Sequence, residues 1–65
     1  MPDELSSDDV ALLALLASGL PTEAVARRLG LSERTVRRRT RFICDRLGVS
    51  TTVEAVAWAA RRHLV

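Results

Sequence analysis

Apolar side chains recur along this chain at spacings of three and four, and no stretch alternates as a half-buried strand does. Glycine, proline and hydroxyl residues break the pattern at short intervals, which predicts an all-α fold of four short helices at about 7–18, 22–29, 33–47 and 52–63. Ser6 and Asp9 have capping-box spacing ahead of "VALLALLA", and that helix stops near Gly19. Pro21 and Thr22 open "TEAVARRL", which Gly30 ends. Ser32 is placed to cap "ERTVRRRTRFICDRL", which Gly48 ends, and Thr51 with Glu54 forms a second capping box before "VEAVAWAARRH". Residues 1–4 read as a loose N-terminal end, and 5–65 as one bundle-like domain.

The link "LGLS" between the second and third helices is the short, glycine-containing turn of a helix-turn-helix, spanning about 21–47. An ordinary helical hairpin uses the same turn, so turn length alone does not decide. The third helix does. At about 100° per residue, Arg37, Arg38 and Arg41 fall within about 60° of Arg34, while Val36, Ile43 and Leu47 cluster opposite with Thr40. One face is core and the other is arginine. A solvated helix ordinarily mixes signs at i, i+4, but no acid lies between Arg34 and Arg41. A helix of this kind fits the major groove of B-DNA, where arginine bonds guanine O6 and N7 bidentately.

Charge placement reinforces that picture. The net charge of +2 conceals five acids and no base in residues 1–26, against eight arginines with only Glu33 and Asp45 in residues 27–46. A concentrated basic patch is the footprint of a polyanion binder. Neutralising about four phosphates predicts a log–log salt slope near −3.6.

Other chemistry is thin. Cys44 is the only cysteine, which excludes a disulfide and a cysteine-based metal site. It lies between the arginine and core stripes as a space filler. His63 has no ligand cluster beside it. No nucleophile–base pair, phosphate-cradling glycine loop or metal set is present, so neither catalysis, a cofactor nor a metal is expected. The longest apolar run, Val10 to Ala17, is too short to cross a bilayer, and the acidic N-terminus is no secretory signal. A cytoplasmic domain without a membrane partner is expected. The first helix is apolar nearly all round, which leaves Val10, Ala11 and Ala14 facing out as a partner surface or as tolerated small residues. Trp58 flanks the inward stripe Ala55, Val56 and Ala59 of the fourth helix, as a core-closing residue or an interface anchor.

The text "LASGLPTEAVARRLGLSERTVRRRTRFICDRLGVSTTVEAVAWA" resembles the C-terminal DNA-binding domain of the LuxR type, also called GerE-like. The resemblance covers roughly residues 5–62, and its specificity lies in the order and spacing of the motifs. It implies a four-helix domain whose third helix enters the major groove of double-stranded DNA to regulate transcription. The family's Thr-Val-Lys start of the recognition helix falls on Thr35, Val36 and Arg37. Arg37 and Arg38 match base readers, while Arg34, Arg41 and the Ser32 hydroxyl suit phosphates. The fourth helix implies a homodimer, and the family's usual longer chain implies a sensor domain elsewhere or contact with RNA polymerase. Departures are Asp8 in place of an arginine, Glu23 of a basic residue, Ala24 of an acid, Arg39 of a histidine and Thr52 of an arginine. They move negative charge into the first two helices and leave the arginine stripe intact. Two rivals are a region-4-like sigma-factor module docking on RNA polymerase, and a protein-interaction module with weak DNA affinity.

Overall fold

A computed structural model describes residues 5–65, and within them the chain forms four α-helices and no strand. These are α1 (Ser7–Ala17), α2 (Thr22–Leu29), α3 (Glu33–Leu47) and α4 (Thr52–Arg61). The expected loose end at 1–4 lies outside the described residues.

Local chemistry sets the helix ends. Both capping boxes form: Ser6 Oγ accepts from the Asp9 amide at 3.2 Å and Thr51 Oγ1 from the Glu54 amide at 3.1 Å. Each N3 carboxylate bonds back to its N-cap amide, at 3.3 Å for Asp9 and 3.0 Å for Glu54. α3 starts where Ser32 Oγ accepts the Thr35 amide at 3.1 Å. α2 begins after Pro21 with no side-chain cap. Two helices stop sooner than their apolar pattern predicts. α1 ends at Ala17 because the Ser18 hydroxyl turns back to the Leu15 carbonyl, 2.7 Å away, ahead of Gly19 at φ +91°. α4 ends at Arg61 because His63 adopts a left-handed φ of +59° and the Leu64 amide closes onto the Ala59 carbonyl at 2.9 Å.

Gly30 makes the turn between α2 and α3. Its φ of +70° is a conformation that a Cβ disfavours, and it lets the Leu31 amide reach the Ala26 carbonyl at 2.9 Å. The chain turns within three residues, and α3 packs directly on α2.

The core is built from small and branched aliphatics. α1 contributes Leu12 and Leu13, α2 Val25 and Ala26, α3 Val36, Ile43 and Cys44, and α4 Ala55 and Ala59, with Leu5 closing one end. No polar or charged residue is buried among the described residues. Ala55 and Ala59, both fully buried, let α1 approach α4 closely. Burying a side chain such as Ile43 is worth about 1.5–3 kcal/mol. α1 and α3 each touch all three other helices, but α2 and α4 do not touch one another. A groove therefore stays open across one flank of α3, between the starts of α2 and α4.

Candidate nucleic-acid interface

α3 is a strut on one side and a charged edge on the other. Val36 and Ile43 are 1% and 0% exposed, whereas Arg34, Arg37, Arg38, Arg39 and Arg41 are all exposed. This separation follows from helical phase: the arginines occupy positions the core cannot take, since a buried unpaired guanidinium would be prohibitive. Val36, expected among the DNA-contacting residues, has its side chain in the core, where it anchors the first turn of α3.

Ser32 and Thr35 form a closed unit. The Ser32 hydroxyl accepts the Thr35 amide and donates its own proton to Thr35 Oγ1 at 3.0 Å. The Ser32 proton is thus engaged, and the outward donor of the pair is the half-buried Thr35 hydroxyl.

Charge pairing is sparse and selective. Among the described residues the ion pairs are Arg27 with Glu23 and Arg37 with Glu33, each at 3.2 Å and each at i, i+4 spacing. Arg37 is therefore not the bare cation that its place in the stripe predicts, because Glu33 precedes the stripe and reaches forward one turn. Arg34, Arg38 and Arg41 have no carboxylate partner among the described residues. On the flank beyond Arg38, Phe42 is 59% exposed, with the Arg46 guanidinium 5.9 Å from its ring centroid. The helical wheel contained that position, but only the fold shows that no neighbouring element covers it.

The groove beside this edge is lined by Arg37, Thr40 and Arg41 of α3, Thr22 at the start of α2, and Ser50 and Thr51 before α4. The threonines and Ser50 come from three segments, and sequence reasoning passed over all of them as contacts. Thr40 spends its hydroxyl proton on the Val36 carbonyl at 2.8 Å. Near α4, Glu54 takes the Ser50 amide at 2.9 Å and the Thr51 amide; these backbone bonds hold its carboxyl below the usual glutamate range. That carboxylate already occupies the positive end of α4. α2, without a side-chain cap, leaves its first amides without a side-chain acceptor beside Thr22.

Cys44 also lines the groove and is buried with the core. Burial, then the charges of Asp45 and Glu54, push its thiol above the ordinary value, so it is a neutral filler near neutral pH. No cluster of metal-ligating side chains occurs among the described residues, and no helix there is long and apolar enough to cross a membrane.

On the opposite side, Trp58 is half-buried against the core with the Arg62 guanidinium stacked 4.0 Å from its ring centroid. Ala14 is exposed. Val10, expected to face outward with it, instead packs partly against the core, since α1 is apolar on too many sides for its phase to be read.

Residues 3–59 match the family of bacterial regulatory proteins called luxR, or GerE. Over 62 residues, 95% of this chain, it is 37% identical to the transcriptional regulatory protein YdfI of Bacillus subtilis, covering 29% of that protein. It is 40% identical to the bialaphos biosynthetic pathway regulatory protein of Streptomyces hygroscopicus, covering 24% of it. It is 29% identical to the nitrate/nitrite response regulator protein NarL of Escherichia coli, covering 29% of it. The chain thus spans 24–29% of the length of these relatives. A match over most of the chain, on a helix-turn-helix with an arginine-edged third helix, establishes that it belongs to the luxR family of bacterial regulatory proteins, as a DNA-binding domain of transcription regulation rather than an enzyme.

Proposed function

We propose that α3 lies in the major groove of B-DNA and reads a specific sequence, with Arg37 and Arg38 on base edges and Arg34 and Arg41 on phosphates. The observation that carries this reading is the segregation of α3 into a buried aliphatic face and an exposed arginine edge. Bidentate arginine–guanine contacts account for base selection, and guanidinium–phosphate contacts for register. The Thr35 hydroxyl and the open amides of α2 beside Thr22 add neutral phosphate donors along the groove. Val36 supports the helix from behind.

The domain, residues 5–65 with its helix-turn-helix at about 21–47, acts as a homodimer through α4 on two related half-sites. Its extents of 31 × 21 × 19 Å fit two copies side by side at the roughly 34 Å that separates half-site centres one helical turn apart. Val53, exposed on the first turn of α4, and the open side of Trp58 offer apolar area for the contact. In a longer protein, a sensor domain would govern this module in the cytoplasm, and RNA polymerase would be the partner through which it acts on transcription.

Selection of bound duplexes from a random pool tests the reading, followed by titration of the enriched duplex at several salt concentrations. A motif with two related halves, bound far more tightly than scrambled DNA, is expected. A motif with a single half would remove the dimer. Weak binding without any motif would remove sequence-specific recognition and leave a protein-interaction module.

A further inference from the structure

We propose that Glu33 is a positioning residue for DNA recognition: it holds the Arg37 guanidinium at the base edges and keeps it from the phosphates. The inference rests on the DNA-binding reading above and adds what sets its selectivity. Glu33 is the first residue of α3, fixed by the Ser32 cap, and its Oε1 accepts from Arg37 Nη1 at 3.2 Å. The side chains of Glu33 and Arg37 are 48% and 64% exposed, so the pair is open to a ligand that approaches the arginine edge. An exposed i, i+4 pair contributes little to helix stability. Its consequence is geometric. A guanidinium carries five donors in a rigid fork, so one arm on the carboxylate still leaves donors for guanine O6 and N7. The carboxylate also repels phosphate oxygens, which disfavours the backbone contact that a released Arg37 would make on any sequence. Arg34, Arg38 and Arg41 have no such partner among the described residues, so the device acts at one arginine alone.

The molecule carries its own control. Arg27 and Glu23 form a pair of the same spacing and length on α2 rather than α3. The test compares motifs selected by the wild-type chain, Glu33→Gln, Glu23→Gln, Arg37→Ala and the double variant Glu33→Gln/Arg37→Ala, with helical circular dichroism to confirm that each is folded. Glu33→Gln keeps size and hydrogen-bonding capacity but loses the charge. It is expected to blur the base preference at one half-site position and to tighten binding to scrambled duplex. Its salt slope should steepen by about 0.9, the share of one further phosphate contact. Glu23→Gln should leave the motif intact, and Glu33→Gln should change nothing further in the motif once Arg37 is alanine. An unchanged motif and slope in Glu33→Gln overturns the proposal while leaving DNA recognition standing. A motif that still shifts in the double variant also overturns it, because the carboxylate would then contact a base itself, for instance as acceptor from cytosine N4. A wild-type chain that selects no motif overturns both readings.

Discussion

Replacing Arg41 by alanine removes one cation from the groove edge without touching the core, since Arg41 is exposed and has no carboxylate partner among the described residues. The structure revises the expected charge count before the magnitude is worked. Of the four arginines on the edge, Arg37 is paired with Glu33 and Arg38 is assigned to base edges, so Arg34 and Arg41 remain for phosphates. At about 0.9 per phosphate, one domain on one half-site should show a log–log salt slope near −1.8, not −3.6. A rise from about 50 to about 200 mM salt then weakens wild-type binding roughly 12-fold. Arg41→Ala should bring the slope to about −0.9 and the loss over the same range to roughly 3.5-fold. Fluorescence anisotropy on a short duplex carrying one half-site, repeated with a scrambled duplex, measures both. The specific-to-scrambled ratio at fixed salt should barely move in Arg41→Ala, whereas Arg37→Ala should flatten one base position and leave the slope near its wild-type value. A slope unchanged in Arg41→Ala, or a motif altered by it, would falsify the assignment of Arg41 to the backbone.

Ile43→Val should cost about 0.5–1.5 kcal/mol by leaving a small cavity behind α3; for a domain this size that lowers Tm by about 4–8 °C per kcal/mol. A melting curve that does not shift would mean the α3 core is not well packed. Gly30→Ala should cost about 1 kcal/mol from the left-handed backbone alone, because an added Cβ at φ +70° meets nothing within 4 Å; urea titration that shows a much larger loss would contradict that. For Cys44, the raised folded thiol pKa means that the native state retains its proton longest. Its contribution to stability is therefore complete below the ordinary thiol value, about 8.5, and declines as pH rises beyond it. Folded protein should react slowly with a maleimide at neutral pH, and rapid labelling would refute the burial. Glu54 has the opposite sign: its lowered pKa gives stability that is complete above the usual glutamate value and is lost as pH falls through the folded one. Glu54→Gln should lessen that acid-side loss in a pH series of thermal melts.

What was legible in the sequence was mostly local. The two capping boxes, the Ser32 cap and the stops at Gly30 and Gly48 each depend on residues within one turn of each other, so spacing alone identifies them. The arginine edge of α3 was legible because the helix has a sharp phase. α1 has none, so spacing alone does not fix how far Val10, which packs partly against the core, faces outward. The Glu33–Arg37 pair has a readable i, i+4 spacing, but Glu33 stands one residue before the stripe that begins at Arg34, so the stripe alone does not contain it. The groove was not readable at all. Thr22, Thr40 and Ser50 belong to separate segments and meet only because α2 and α4 stand apart on α3. Phe42 escaped for the same reason: its exposure depends on which neighbours fail to cover it.

The division of α3 into two faces has a consequence for how such a domain can diversify. Positions 34, 37, 38 and 41 can be randomised in a library while Val36, Ile43 and Cys44 are held, because the first set is exposed and the second is buried in the core. Variants would then differ in which duplex they select while melting at nearly the same temperature. Position 33 belongs in that library as a fifth letter, since it alters what an arginine at position 37 does. A lineage drifting along these five positions could acquire new operators without passing through an unfolded intermediate.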